Sequence, residues 1–246
     1  MRPLIGISCS FESVAGVEPR ERMYLNSAYC DAVYAAGGTP FPIAPPAAAD
    51  PSLIQELLRR VDGLLFTGGP DLDPRHYGQQ RHAQTQVLHP RRDAFDIALF
   101  GAADAADVPL LSICLGCQIA SVSRAGCLVQ HVDDRPAERR VEHYDPAGGS
   151  RYHEVEIAPD SRLAQVVGCT RLRVNSRHHQ IIDDRQIGTH LRAVAHAADG
   201  AIEAAEDARR SFLLAVQWHP EDMIDQREHL ALFEALTRAA AERRRS

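Results

Sequence analysis

Three short apolar runs punctuate the first half of the chain: LIGIS from Leu4 to Ser8, GLLFT from Gly63 to Thr67, and PLLSI from Pro109 to Ile113. None alternates with polar residues, so each reads as a β-strand covered on both faces. Between the first two, Leu25, Ala28, Tyr29, Ala32, Val33 and Ala36 recur at helical spacing, and Gly37-Gly38 supplies a stop. Between the second and third, Phe95, Ala98, Leu99 and Ala102 share one helical face. This βαβαβ alternation predicts a parallel sheet with helices on both sides.

Beyond residue 150 the pattern turns to strands. HEVEIA from His153, LRVN from Leu172, LRAVAH from Leu191, AIEAAE from Ala201 and FLLAVQ from Phe212 follow at short intervals. A last helix from about Arg227 is expected to turn Leu230, Phe233 and Leu236 inward. The predicted fold class is therefore α/β: one domain over residues 1–246, with a mostly parallel central sheet flanked by helices and a smaller strand-rich second half. No internal repeat or long linker interrupts it. The loosest stretches are PAAADPS near residue 50 and the run from Asp133 to Arg151. The second is long for a loop in a compact domain, which marks it as functional or mobile.

Composition narrows the class. With 246 residues, 45% hydrophobic and 24% charged, the chain has enough apolar material for a sizeable core. A formal charge of -6 gives no reason to expect nucleic acid or an anionic membrane as partner. Arg243-Arg244-Arg245 reads as the solvated end of a helix. The opening MRPLIGISCS has no signal-peptide pattern, no run reaches membrane-spanning length, and the six cysteines lack the spacing of a disulfide framework. The expected location is the cytoplasm.

The stretch PLLSICLGCQIA, Pro109 to Ala120, carries the first candidate chemistry. An apolar strand that stops at a cysteine and opens into a helix makes a nucleophile elbow, and a helix N-terminus favours the reactive thiolate. On this segment alone, Cys114 and Cys117 also have the spacing of a thiol redox pair. A zinc site built on them is discounted, because no second CxxC or HxxxH supplies further ligands. The partner that decides lies in AVQWHPE, Ala215 to Glu221. Pro220 is expected to hold His219 extended, which brings Glu221 to the same side two residues on. Cys114, His219 and Glu221 then form a triad of the Ser-His-Asp kind. In FTGGPDLDP, Gly68 and Gly69 bring bare backbone to the same sheet edge, and with the Leu115 amide they offer an oxyanion hole. His178 and His179 are neighbours on an extended stretch, point to opposite faces and do not suggest a shared metal. His153 reads as the start of a strand, and Asp93 as either a contact of the elbow or a solvated carboxylate.

TGGPDLDP with Tyr77, RRDAFDIAL, CLGCQ, VNSRHHQ from Val174 to Gln180, and VQWHPE occur in the order found in class I glutamine amidotransferase-like hydrolases, which have a flavodoxin-like fold. The chain most resembles the γ-glutamyl-γ-aminobutyrate hydrolases of peptidase family C26, from LIGIS to VQWHPE. The resemblance implies Cys114 as nucleophile, His219 as general base and Glu221 as its orienting acid. It implies Gly69 and Leu115 at the oxyanion hole, with Gly68, Gln118, Asn175, Ser176, Arg177 and His178 around the γ-glutamyl group. The implied reaction is hydrolysis of a small γ-glutamyl amine, such as a product of polyamine breakdown, without metal or organic cofactor; homodimers are common among similar proteins. A glutaminase subunit feeding ammonia to a synthetase is the alternative. Leu115 and Cys117 stand where the γ-glutamyl-γ-aminobutyrate hydrolase branch usually has arginine and methionine, and SVSRAGC replaces a segment that usually carries Asn and Gly-Gly. These departures bear on the leaving-group side.

Overall fold

The computed structural model describes residues 1–15, 20–135 and 141–245. In chain order the elements are β1 (Leu4–Ser8), β2 (Ser10–Val14), β3 (Arg20–Tyr24), α1 (Ser27–Ala35), β4 (Thr39–Ile43), α2 (Pro51–Arg60) and β5 (Gly63–Phe66). There follow α3 (Pro90–Ala105), β6 (Leu110–Ile113), α4 (Leu115–Val122), β7 (Leu128–Val129), β8 (Arg151–Ile157) and α5 (Arg162–Val167). The chain closes with β9 (Arg171–Ser176), β10 (Ile181–Ile182), β11 (Arg192–Ala197), β12 (Ile202–Glu206), β13 (Leu213–Val216) and α6 (Arg227–Arg243).

One nine-stranded sheet in the order β4-β1-β5-β6-β13-β12-β11-β8-β9 organises the molecule. From β4 to β13 neighbouring strands run parallel; from β13 to β9 every pairing is antiparallel. Side chains alternate across the parallel strands, so one layer receives Leu64, Phe66, Leu213 and Ala215 and the other Leu65, Leu214 and Val216. The first layer packs on α2, α3 and α4 through Ile54, Leu58, Phe95, Leu99 and Ile119, the second on α1 and α6 through Val33, Phe233 and Leu236. Covering both faces calls for strands that are apolar at nearly every position.

The elements missing from the pattern reading have local causes. The prolines of TPFPI disguise β4, which occupies the sheet edge where a missing N–H is tolerated. The loose-looking PAAADPS is the start of α2: Asp50 caps the helix by accepting the Ser52 N–H at 2.8 Å, and Pro51 takes the first helical position. In the β2–β3 hairpin every residue of RERMY is exposed, so no apolar alternation announces it. On α6, Leu232 takes the inward place expected of Leu230, which is only half-buried. In the Asp133–Arg151 run, residues 136–140 lie outside the described residues; the remainder includes a 3₁₀ turn over Val132–Asp134 and the buried His143.

Candidate active site

Cys114 is the single residue between β6 and α4, and it turns the corner with φ 53° and ψ -104°. A side-chain-bearing residue in that region is strained and persists only where its surroundings enforce it. Here the Cys114 N–H donates to the Val216 carbonyl on neighbouring β13 at 2.8 Å, and its carbonyl receives the Gln118 N–H at 3.2 Å. Gly116 contributes by proximity. A Cβ there would lie 2.6 Å from the Phe66 carbonyl oxygen, so only glycine lets α4 press onto the end of β5.

His219 and Glu221 meet as expected, but by another route. His219 has ψ 78°, and Glu221 belongs to a 3₁₀ turn over Pro220–Asp222 rather than to an extended strand. The turn delivers Glu221 Oε1 to 2.6 Å from His219 Nδ1. Asn175 clasps the His219 backbone from both sides, donating to its carbonyl and accepting its N–H, each at 2.9 Å. Burial works against a charge on the imidazole, but Cys114 and Glu221 outweigh it and raise His219 to about 10. The ring is therefore held as an imidazolium between sulfur and carboxylate.

The loop after β5 closes the other side. The Tyr29 hydroxyl accepts the Gly68 N–H at 3.0 Å, and a Cβ on Gly68 would sit 2.7 Å from His219 Cε1. Arg92, 1% exposed, donates to the Thr67 and Gly68 carbonyls at 3.2 and 3.0 Å and pairs with Asp96 at 3.0 Å. Asp93 is a structural contact: it accepts the Asp73 N–H at 3.2 Å and pairs with His76 on the 3₁₀ turn that follows. The RRDAFD helix thus fixes the shape of the glycine loop.

A cavity of about 230 Å³ opens at this edge. Of the residues expected there, Cys114, Gly69, Gln118, Arg177 and His178 line it. Gly68, Asn175 and Ser176 do not. The Gly68 N–H is taken by Tyr29, Asn175 is spent on the His219 backbone, and the Ser176 hydroxyl donates to the His143 carbonyl at 2.6 Å. Leu115 buries its side chain completely in the α2–α3–α4 layer, which leaves its backbone N–H, in the first turn of α4, as the part that can serve the site. Cys117 is equally buried, so neither departure from the γ-glutamyl-γ-aminobutyrate branch touches the cavity through its side chain. Burial also pushes the Cys117 thiol well above its ordinary range, which opposes redox pairing with Cys114; both cysteines are free. Asp71 and His179, whose Nε2 lies 3.0 Å from Asp71 Oδ2, are among the lining residues that went unforeseen, with Pro70, Gln86 and Gln180. The second aspartate-containing half of TGGPDLDP and the second histidine of RHHQ were the signals.

The sequence matches the family model Peptidase C26 over residues 3–221. The chain belongs to the peptidase C26 family. Within it, a Mycobacterium tuberculosis protein whose name, Rv2859c, is placed among the glutamine amidotransferases is 38% identical over 98% of this chain and 75% of its own. The γ-glutamyl-γ-aminobutyrate hydrolase PuuD of Escherichia coli is 31% identical over 89% of this chain and 85% of its own. The C26 fold is shared with the glutaminase domain of Trypanosoma brucei CTPS, which superposes with a TM-score of 0.65 at 16% identity, covering 98% of this chain and 94% of that one. This C26 member is accordingly a glutamine amidotransferase-like hydrolase with a flavodoxin-like α/β architecture. Among the described residues no helix is long and apolar enough to cross a membrane.

Proposed function

We propose that this C26 hydrolase cleaves the γ-glutamyl amide bond of a small γ-glutamyl amine, γ-glutamyl-γ-aminobutyrate or a close analogue, through a thioester on Cys114. The observation that carries the reading is the strained Cys114 corner facing an imidazolium oriented by Glu221, at the wall of a cavity that also presents Asp71 and Arg177. Opposite charges on one cavity wall suit an amino-acid head: Arg177 takes the α-carboxylate and Asp71 the α-ammonium.

The Cys114 sulfur attacks the γ-carbonyl carbon, and the amides of Gly69 and Leu115 hold the oxyanion. His219 passes its proton to the departing amine as the C–N bond breaks. Water then attacks the γ-glutamyl thioester, with His219 taking its proton as the C–S bond breaks, and releases glutamate and the Cys114 thiolate beside the restored imidazolium. None of these steps calls on a metal or an organic cofactor, and no second protein is needed.

Glutamate release by the purified protein, offered γ-glutamyl-γ-aminobutyrate, glutamine and a panel of γ-glutamyl amines, tests this. Turnover of an amine is expected, reduced by about 10³-fold or more in Cys114→Ala and His219→Ala and retained in Cys117→Ala. Silence on every amine, with glutamine hydrolysis appearing only beside a synthetase, would overturn it in favour of a glutaminase subunit.

A further inference from the structure

A second group of titratable side chains lies in the antiparallel half of the sheet, and the reaction above makes no use of its chemistry. His153 on β8, His178 just beyond β9, Glu203 on β12 and His143 from the 141–150 stretch each direct one ligand atom to a common point, all within 4.8 Å of one another. Their side chains are 8%, 2%, 0% and 0% exposed.

Three ring nitrogens converge on one oxygen. Glu203 Oε1 lies 3.2 Å from His143 Nδ1, 3.4 Å from His153 Nε2 and 3.6 Å from His178 Nε2. None of these contacts has the geometry of a hydrogen bond, and all of these atoms are buried without a partner. A buried polar atom left this way is costly, and here four of them point at one spot.

The far ring nitrogens explain what is missing. His143 Nε2 donates to Asp199 Oδ2 at 2.8 Å, His178 Nδ1 to the Gln180 carbonyl at 3.1 Å, and His153 Nδ1 to the Glu154 carbonyl at 3.3 Å. Each of those partners can only accept, so each far nitrogen carries a proton. In the neutral ring the near nitrogen is then a bare lone pair, and three such lone pairs face a carboxylate. One proton on His143 relieves one contact and leaves two. Protonating all three rings places three cations in a buried space around one anion. A single cation at the centre relieves all four atoms.

The spacing fits such an ion. With metal–ligand bonds of about 2.0–2.1 Å, the edge of a tetrahedron is about 3.3 Å, close to the three separations around Glu203 Oε1. Rings whose far N–H groups are held by a carboxylate or a backbone carbonyl are the usual outer arrangement of metal-bound histidines. Three imidazoles and one carboxylate suit zinc, and four protein ligands leave no open position for substrate. We propose that His143, His153, His178 and Glu203 form a closed, four-coordinate zinc site that ties β8, the end of β9, β12 and the 141–150 stretch together behind the cavity. The assignment does not depend on the role of Cys114.

The test uses the whole 246-residue chain in a Cys114→Ala background, which removes the cavity thiol as a competing ligand. The chelator-stripped protein is titrated with ZnCl₂ against a competing indicator, and separately with CoCl₂ followed by visible absorption. One Zn²⁺ per chain is expected, with tetrahedral cobalt bands free of thiolate charge transfer and a rise in thermal midpoint on loading. His153→Ala and Glu203→Gln should weaken zinc by about 100-fold or more, and Asp199→Asn by about 10–100-fold. His196→Ala, an exposed histidine on β11, should change nothing. If the ligand variants do not fold, the cobalt spectrum and Asp199→Asn decide. A folded protein that takes up no stoichiometric zinc, a thiolate cobalt spectrum, or affinity undiminished in His153→Ala and Asp199→Asn would each overturn the proposal.

Discussion

His219 with Glu221, and the three histidines around Glu203, are two buried imidazole–carboxylate assemblies on one sheet, built in opposite ways. In the first, the carboxylate takes Nδ1 at 2.6 Å and leaves the other ring nitrogen to a sulfur at the cavity wall. In the second, the outer nitrogens are taken by Asp199 and two backbone carbonyls, and the inner ones all turn on a single carboxylate sealed from solvent. The nitrogen left over, and whether a reactant can reach it, decides what a histidine is for. The first arrangement leaves a proton carrier, and the second leaves a set of ligands.

The contrast breaks most sharply on the two carboxylates. Glu221→Gln keeps the shape but removes the charge that orients His219, and kcat per folded molecule for glutamate release should fall about 10²–10⁴-fold, an effect on rate larger than the accompanying loss of stability from an unpaired imidazolium. Glu203→Gln should do the reverse. Taking one ligand from the closed site should lower the denaturant midpoint of the zinc-loaded protein, while kcat per folded molecule stays within a few-fold. If the two variants affect rate and stability alike, the division between the assemblies is wrong.

A pH series sharpens it. The folded His219 holds its proton up to about 10, above the ordinary 6.5, so its contribution to stability is complete below pH 6.5 and is lost as pH rises through about 10. The alkaline limb of kcat/KM should fall in the same window, and Glu221→Gln should move that limb toward neutrality. An alkaline limb unmoved by Glu221→Gln would separate the carboxylate from the imidazole. The smallest effect belongs to Cys117→Ala, which should cost about 1 kcal/mol of stability and less than a twofold change in rate.

Where burial is two-sided, the sequence is easy to read. β1, β5 and β6 are almost wholly apolar because helices cover both faces, only the small Ser8 and Ser112 breaking the run, and the elbow cysteine and the His-Pro-Glu turn stand at strand ends that the same pattern marks. Chemistry made by long-range pairing leaves no such trace. Asn175 resembles a substrate contact in a motif, but its side chain is consumed by the His219 backbone, 44 residues away. His143, His153, His178 and Glu203 come from four separate segments, and no local spacing among them matches a metal motif, which is why a chain expected to need no metal presents four converging ligand atoms. Arg92 is similar: charge in a helix usually marks its solvated face, but here the helix turns an arginine inward to hold two loop carbonyls.

The hydrogen bond from Cys114 to the Val216 carbonyl also sets an order of birth. It ties the end of β6 to β13, and Gln118 on α4 reaches Gln217 just beyond β13, 99 residues further along the chain. Closing so long a loop is an entropic barrier that local contacts cannot offset. At about 5–20 residues per second, a ribosome makes Cys114 roughly 5–20 s before the strand that braces it. Until then no carbonyl holds the corner and no imidazole faces the sulfur. The nascent chain thus carries the Cys114 thiol without its imidazole, and the candidate site is assembled only when the last strand slides in beside β6.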